Sequence, residues 1–354
     1  MEKLQHFSPG SAAHIDHPSH ARIGVQAFPD RLHVLTMLSN PLRWRSRYRH
    51  YWRFEAHVVA SSAILYTAEV ALGGREFEVT EPGNPKHLQL RTHDELWHKE
   101  NALQLLLGRV PPEARYIAMV DADLIFARSD WAQETLHLLQ HYPVLQMFSH
   151  LIDLNSDDQP INSSAIGLVY LRHGDSAASM TGARTPASAA FDYGVAAAQG
   201  PAREPAAVRR QWGCPGGAWA YRREALDALG GLIDWGIAGN ADFHMAKALF
   251  GEIEDTLCPG YHPNYKTLCR GWQERAETHI KRNVGYMPGA VLHLWHGPKG
   301  SRGYEFRPRL LSESQFDPLV DIKRDWQGLW QLSGDNIALR EWLRQCARVR
   351  NEDA

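Results

Sequence analysis

The sequence has little net charge, few cysteines and no long hydrophobic run. Its 354 residues carry a formal net charge of −2, so no global basic field attracts nucleic acid or anionic membrane, and any such partner must bind locally. No segment approaches the roughly 18 apolar residues of a membrane span, and the first residues lack the apolar centre of a secretory signal. We therefore expect a cytoplasmic protein without a transmembrane segment. The absence of CxxC spacing disfavours a zinc ribbon or a disulfide framework and predicts reduced thiols at Cys214, Cys258, Cys269 and Cys346.

What the sequence does have is an alternation of strand and helix patterns. Hydrophobic residues make up 44% of the chain, which is enough for a full core in one large α/β domain or two smaller ones. Because strand and helix patterns follow one another, a doubly wound, mostly parallel sheet is predicted for residues 31–150. The predicted strands cover 31–38, 63–72, 87–91 and 116–120, and the predicted helices cover 51–61 and 96–107.

The first motif is an apolar run, Tyr116 to Val120, that is followed by Asp121 and Asp123. Apolar and β-branched residues in this run indicate a strand buried on both faces, and ligands bind at the carboxyl ends of such strands. Two buried carboxylates without a counter-charge would be costly, so a divalent cation, Mg²⁺ or Mn²⁺, that holds a diphosphate explains them economically. A capped strand end with two solvated aspartates is the other interpretation.

The second motif combines paired glycines with a downstream carboxylate at a helix start. Gly216 and Gly217 allow close approach of the backbone to a ligand, and a short strand and a helix from about Arg223 to Gly230 follow them. Asp242 opens a further predicted helix, where the helix dipole stabilises its charge. It is interpreted either as an N-terminal cap or as a general base for an acceptor hydroxyl.

The third motif runs from His293 to Tyr304 and joins two histidines to a basic, glycine-rich loop. In strand geometry His293 and His296 lie on opposite faces, so the two histidines need not act together, and one of them can complete a metal shell. Lys299 and Arg302 can neutralise phosphate charge. A purely structural histidine is the alternative.

Aromatic and basic residues supply further candidates. Residues 43–53 interleave five arginines with four aromatic residues, which favours contact with nucleotide phosphate, a nucleic-acid acceptor or a polyanionic glycan. An amphipathic helix whose arginines cover the sheet explains the same pattern equally well. Glu69, near the end of the second strand, is either a contact to the nucleotide base or a solvated edge residue. Sugar stacking or core packing is predicted for Trp212, Trp219 and Trp235.

Taken in order, Asp-Ala-Asp, Gly-Gly, a helix-opening aspartate and His-x-x-His resemble the motifs of the GT-A-fold nucleotide-sugar glycosyltransferases. The sequence is most similar to the galactosyltransferase and chondroitin-polymerase-like branch. One departure is Ala241 before Asp242, where family members commonly have a glutamate. The resemblance implies an α/β, GT-A (Rossmann-like) fold, in which helices flank a mostly parallel twisted sheet and a C-terminal helical extension follows.

The resemblance also implies a ligand set and a division of the chain. A nucleotide diphosphate sugar would be held by Mn²⁺ or Mg²⁺, with Asp123 as a direct ligand, Asp121 on the ribose or a metal-bound water, and His293 or His296 as the later ligand. The implied parts are a loosely structured extension (1–30), a GT-A catalytic domain (31–304) with a nucleotide-binding half (31–150), a mobile insert (173–210) and an acceptor half (211–304), and a C-terminal helical element (305–354).

The leading hypothesis is a metal-dependent hexosyl- or N-acetylhexosaminyltransferase that uses a nucleotide diphosphate sugar, a UDP-sugar first of all. Inversion at the anomeric carbon is favoured with Asp242 as base, and a retaining route stays open. A glycan, a lipid-linked glycan, a protein or a modified nucleic acid is the acceptor. The alternatives are a metal-dependent nucleotidyl or phosphoryl transferase and a non-enzymatic glycan- or nucleic-acid-binding module. The assigned residues are Asp242 as catalytic base; Asp121, Lys299, Arg302, Tyr304, Glu69 and Arg43 for the donor; Gly216, Gly217, Trp219 and Trp235 for acceptor or sugar; and Asp121, Asp123, His293 and His296 for the metal.

Overall fold

A seven-stranded mixed sheet forms the centre of the structure, a computed structural model that describes residues 30–173, 213–298 and 306–353. The described strands are β1 (Leu32–Ser39), β2 (Ile64–Leu72), β3 (His87–Thr92), β4 (Tyr116–Val120), β5 (Leu124–Phe126), β6 (Val144–Gln146), β7 (His150–Leu154), β8 (Pro160–Ile166), β9 (Ala218–Arg222), β10 (Val284–Tyr286), β11 (Ala290–His293), β12 (Ile322–Arg324) and β13 (Trp330–Leu332). The central sheet has the order β10-β6-β9-β4-β1-β2-β3, and every neighbouring pair is parallel except those that β9 makes with β4 and β6. The predicted mostly parallel α/β sheet is confirmed.

Helices cover both faces of this sheet. They are α1 (Arg45–Ala60), α2 (Lys99–Leu107), α3 (Trp131–Leu138), α4 (Arg223–Ala228), α5 (Ala241–Ala248), α6 (Pro263–His279), α7 (Arg307–Glu313) and α8 (Ile337–Arg348). Helices α1 and α3 pack on one face, and α2, α4, α5 and α6 contribute to the core on the other face. The sheet therefore separates two hydrophobic cores.

Strand β4 lies at the centre of the sheet and leads into the first motif. It pairs in parallel with β1 and antiparallel with β9. Ile117 and Met119 belong to one core and Ala118 and Val120 to the other, so the strand is buried on both faces as predicted. This explains the unbroken apolar run, and it places the residues after Val120 at the carboxyl ends of β1 and β4.

A second sheet, in the order β5-β11-β7-β8, begins directly after the first motif. Strand β11 runs antiparallel to β5 and parallel to β7, so His293 is paired with Leu124 on one side and with Asp153 on the other. This register brings the third motif to the first.

The C-terminal region is only partly the predicted helical element. Helices α7 and α8 are present, but the segment between them forms the β12-β13 hairpin. Gly328 has a φ of +84°, which allows the chain to turn there. The apolar spacing from Trp326 to Leu332 fits a short strand as well as a helix, and for so short a run the turn decides between them.

Two predicted segments fall outside the described residues. These are the N-terminal extension, apart from Asp30, and the insert, apart from His173. Within the described part of the chain, no helix has both the length and the apolar character to cross a membrane.

Candidate functional site

A cleft of about 250 Å³ opens at the carboxyl ends of β1 and β4. These strand ends supply Ser39 and Asp121 to its wall, and the first turns of α2 and α5 supply Lys99 and Asp242. Strand β11 adds His293. All three sequence motifs thus contribute to one cleft, at the edge of the sheet where parallel strands bind ligands.

Three side chains in the cleft are placed to share a metal ion. The Nε2 atoms of His293 and His296 lie 3.7 and 3.5 Å from Oδ2 of Asp123, and 3.0 Å from each other. One ligand atom from each residue lies within 4.8 Å of the other two. The prediction that the histidines lie on opposite faces is wrong, because β11 ends at His293 and strand alternation does not extend to His296.

The spacing of these atoms fits a divalent cation. Bonds of about 2.1 Å place neighbouring ligands of an octahedral ion about 3 Å apart, which is close to the 3.0 Å between the two Nε2 atoms. The Nδ1 atom of His293 lies 2.8 Å from Oδ1 of Asp153, a carboxylate that is only 3% exposed. Because this carboxylate accepts the Nδ1 proton, the lone pair of Nε2 points toward Asp123, which is the tautomer that binds a metal.

The electrostatic surroundings keep Asp123 ionised. Burial raises the pKa of this carboxyl, but the basic imidazoles beside it, those of His293, His296 and His50, outweigh burial and hold the pKa well below its usual range. Asp123 is therefore available as an anionic oxygen ligand.

Asp121 has a different partner from the one predicted. Its Oδ1 lies 2.5 Å from Nζ of Lys99, and its backbone N–H donates to the carbonyl of Gly217 over 2.8 Å. Burial raises the pKa of Asp121, and the ammonium of Lys99 acts against that rise. Asp121 is thus paired with Lys99 and is not a member of the three-residue cluster, and its role as a metal ligand stays a prediction.

The first of the paired glycines, Gly216, packs against Asp242, and the second, Gly217, packs against Leu124 and Phe148. A Cβ atom on Gly216 would lie 2.4 Å from Oδ2 of Asp242, so only glycine leaves room for this carboxylate. Gly217 has a φ of +97°, in the left-handed region that favours glycine. The N-cap position of α5 is Asn240, and Asp242 lies in the first turn, where it lines the cleft.

Sequence reasoning missed two charged residues in the first turn of α2. Lys99 is the partner of Asp121, and Glu100 is 4% exposed beside it. Burial raises the pKa of Glu100 to about 8, while the charge of Lys99 lowers it and that of Asp242 raises it. In the sequence, Lys99 and Glu100 are marked only as a charged pair at the start of an otherwise apolar helix.

Two residues predicted to bind the nucleotide lie away from the cleft wall. Glu69 is buried, and its carboxylate accepts hydrogen bonds from the backbone N–H groups of Glu78, Val79 and Thr80 at 2.7 to 3.0 Å. Arg43 is exposed and pairs with Glu78 at 3.0 Å. Both assignments are corrected, because these side chains hold the loop after β2 in place.

The tryptophans assigned to sugar stacking pack into the protein. Trp219 is 8% exposed and donates from Nε1 to the carbonyl of Pro215, and Trp235 packs against the same core. Trp44 and Trp97 line the cleft instead. The structure therefore shows the alternative prediction, core packing, for Trp219 and Trp235.

The basic loop of the third motif lies outside the described residues, so the structure does not place Lys299, Arg302, Tyr304 or, in the insert, Trp212. Described cations nonetheless line the cleft. Arg307 and Arg350 lie over the ring of Trp97, with guanidinium carbons 5.1 and 5.7 Å from its centroid. Arg47 belongs to the basic aromatic run, most of which forms the first turns of α1.

No model of a known protein family matches the sequence, and no curated protein does. Solved structures do match, and they include sugar transferases and a 4-diphosphocytidyl-2C-methyl-D-erythritol synthase from Anaerococcus prevotii (8% identity, TM-score 0.28). Three of them are a mutant Drosophila β-1,4-galactosyltransferase 7 in complex with manganese, UDP-Gal and xylobiose (15% identity, TM-score 0.29), a putative nucleotide-diphospho-sugar transferase from Desulfovibrio desulfuricans (11%, 0.30) and S. aureus TarS (8%, 0.33). The matches cover 64, 74 and 80% of this chain and 61, 81 and 65% of those chains, respectively. Likeness at this level carries no functional argument, so the function rests on the site.

Proposed function

We propose that the protein is a metal-dependent glycosyltransferase that moves a sugar from a nucleotide diphosphate sugar to an acceptor hydroxyl. The observation that carries this proposal is the cluster of Asp123, His293 and His296, oriented by Asp153, in the same cleft as Asp242. A divalent cation, Mn²⁺ or Mg²⁺, bound there would stabilise the negative charge that develops on a leaving diphosphate.

Cationic side chains of the cleft support a phosphate-bearing donor. Arg47, Arg307 and Arg350 present guanidinium groups, which bind phosphate oxygens in pairs. Lys99 orients Asp121 beside them, and this fits the hypothesis that Asp121 contacts the ribose. Donor contacts by the loop after residue 298 stay a prediction.

Asp242 is the proposed general base. Its carboxylate lines the cleft from the first turn of α5. Gly216 leaves the space that this carboxylate occupies. A base that deprotonates the acceptor hydroxyl on the side opposite the leaving diphosphate inverts the anomeric centre, so inversion is the proposed stereochemical outcome.

A UDP-sugar with a hexose or an N-acetylhexosamine is the proposed donor. Trp44 and Trp97 line the cleft with arginines packed over their rings, and this mixed aromatic and cationic lining supports a ligand that joins a base and a sugar to a diphosphate. For the acceptor, a glycan, a lipid-linked glycan, a protein and a modified nucleic acid stay equal candidates.

The test is a screen of nucleotide sugars for thermal stabilisation and slow hydrolysis, with and without Mn²⁺ or Mg²⁺. We expect at least one UDP-sugar to raise the melting temperature only when the cation is present, and to be hydrolysed. Asp123→Ala should lose both responses. Asp227→Ala, which removes an exposed carboxylate of α4, is the matched control and should keep them.

Two outcomes would contradict the proposal. A response that persists in Asp123→Ala or without any cation would remove the metal from the mechanism. Turnover of nucleoside triphosphates without a sugar would instead favour nucleotidyl or phosphoryl transfer.

A further inference from the structure

Residues 350–353, here called the strap, lie against the cleft and bring the carboxylate of Glu352 to it. Glu352 lines the cleft and is only 1% exposed, which is rare for a glutamate. The strap also touches the metal site, since a Cβ atom on Gly297 would lie within 2.2 Å of the carbonyl oxygen of Asn351. Gly297 directly follows His296, so the strap passes one residue from a candidate metal ligand.

Two arginines hold Glu352. The Nε and Nη2 atoms of Arg47 lie 2.5 and 2.7 Å from its two carboxylate oxygens, which is the bidentate geometry that arginine uses for carboxylate and phosphate alike. The Nε atom of Arg350 lies 3.3 Å from Oε1. One helical turn beyond Arg47, His50 contacts the carbonyl of Trp295 at 2.5 Å, so this part of α1 adjoins the metal loop.

Asp353 binds the N-terminus of α1. Its two oxygens accept the backbone N–H groups of Arg45 and Ser46 at 2.9 and 2.8 Å. Trp44, at the N-cap position, offers no side-chain cap. The hydroxyl of Ser46, a residue that is 4% exposed, adjoins the carboxylate of Asp353. The start of this 16-residue helix therefore presents donors to an anion, as helices that bind phosphate do.

The charge of the cleft favours exchange of Glu352 for a diphosphate. Four cationic and five anionic side chains line the cleft among the described residues, a net charge of −1 with neutral histidines. A divalent cation would raise this charge to +1, and departure of Glu352 would raise it to +2, on the same set of side chains. That charge is equal and opposite to that of a diphosphate esterified at both ends.

We propose that the strap is an autoinhibitory element, in which Glu352 and Asp353 fill anion sites at Arg47 and at the N-terminus of α1 that a diphosphate ligand must take from them. Carboxylate and phosphate compete for the same guanidinium fork and the same backbone N–H groups. The inference rests on the proposed function only for the identity of the natural ligand, a nucleotide diphosphate sugar. The ligand takes the two anion sites as Glu352 and Asp353 leave them, so ligand entry and release of the strap occur together.

The first experiment measures binding of pyrophosphate and of UDP to the full chain by isothermal titration calorimetry in the presence of Mg²⁺. The double variant Glu352→Gln, Asp353→Asn keeps the shape of the strap and removes both charges. We expect it to bind pyrophosphate about tenfold more tightly than the wild type, which is about 1.4 kcal/mol. Glu254→Gln, which breaks an exposed ion pair with Arg270, is the matched control and should leave affinity unchanged. Unchanged or weaker binding by the double variant overturns the proposal.

The second experiment uses the wild type and does not depend on the folding of a variant. Hydrogen exchange at the strap is followed with and without pyrophosphate. Faster exchange of residues 350–353 in the presence of the ligand supports displacement. Slower or unchanged exchange, which would mean that the strap closes over the ligand or ignores it, overturns the proposal.

The two proposals fail in distinguishable ways. If the double variant gains affinity for pyrophosphate but no nucleotide sugar is turned over, the proposed function fails and the anion site stands. If a nucleotide sugar is turned over, and the double variant binds UDP and pyrophosphate no better than the wild type, the proposed function stands and the strap inference fails.

Discussion

The cleft has two walls that are built in different ways. One, the metal wall, lies on and beside strand ends of the two sheets, where backbone pairing fixes the positions of its side chains. The other, the basic wall, lies on helix starts and on the strap, where side-chain ion pairs fix them. The metal wall consists of Asp123, Asp153, His293 and His296, and the basic wall of Arg47, Arg307, Arg350 and Glu352. The proposed metal ligands are thus positioned by the sheets, and the charges that we propose to be exchanged for a ligand are positioned by helix starts and the strap.

The largest effect is expected from His293→Ala, which tests the rigidity of the metal wall. This change removes a proposed ligand atom and the contact between His293 and the buried Asp153, so catalytic efficiency should fall by more than about 100-fold and the free energy of unfolding by about 1 to 3 kcal/mol. Steady-state kinetics with Mn²⁺ and urea unfolding measure the two losses. His137→Ala, at an exposed site, is the control. Normal activity in His293→Ala would remove the metal wall from the mechanism.

A second expected effect concerns the residue that orients His293 without touching the ion. Asp153→Asn keeps the size of the side chain but removes the charge that fixes the Nδ1 proton, so affinity for Mn²⁺ should fall by about 10- to 100-fold. Calorimetric titration of the metal in the absence of any donor measures this change. Unchanged affinity would mean that strand register alone orients the imidazole, which would sharpen the contrast between the walls.

Gly216→Ala tests the space that glycine leaves for the carboxylate of Asp242, a cleft residue that belongs to neither wall. The added methyl group would displace the carboxylate of Asp242, so kcat should fall by about 10- to 100-fold while donor affinity stays close to that of the wild type. Gly271→Ala is the matched control, because a Cβ atom there meets only the side chain of Arg275 at 3.8 Å. A loss of donor affinity with unchanged kcat would contradict the assignment of Asp242 to the acceptor side.

The last prediction is a pH dependence of stability, with no expected effect on the walls of the cleft, at Glu100, next to Lys99. Burial raises the pKa of Glu100 from 4.5 to about 8, so the folded protein keeps a proton that the unfolded chain has lost. This contribution to stability is complete below pH 4.5 and is lost as the pH rises toward about 8. The free energy of unfolding of Glu100→Gln, relative to the wild type, should therefore increase across that interval in urea titrations. Parallel pH profiles of stability for the two proteins would contradict a raised pKa at Glu100.

Much of the metal wall could be predicted from the sequence. The apolar run before Asp121 and Asp123 indicated a doubly buried strand, and the run is found at the centre of the sheet. Both histidines were identified as candidates, but they were wrongly predicted to lie on opposite faces of a strand. The alternation of side chains between two faces holds only within the strand, and β11 ends at His293. Asp153 was missed, although a single acid within the apolar segment Leu151–Leu154 was a usable signal.

The basic wall was much less accessible to sequence reasoning. Its contacts join residues about 300 positions apart, such as Arg47 and Glu352, and no local pattern carries such a pairing. The arginine run drew attention to Arg43, but Arg47, in the first turn of α1, lines the cleft, whereas Arg43 lies in the turn before α1 and is exposed. Among the tryptophans, composition gave no way to separate Trp97, in the cleft, from Trp219, in the core.

The pairing of β11 with β7 makes metal affinity a reporter of strand alignment. His293 meets Asp153 only in the register that also places Leu292 beside Ile152, and a shift by one residue would offer a leucine to the buried carboxylate. A chain with this sheet misaligned would retain its histidines but not a usable site for the ion. Metal titration of a refolding sample would therefore count the molecules whose second sheet has paired correctly, before any substrate is known.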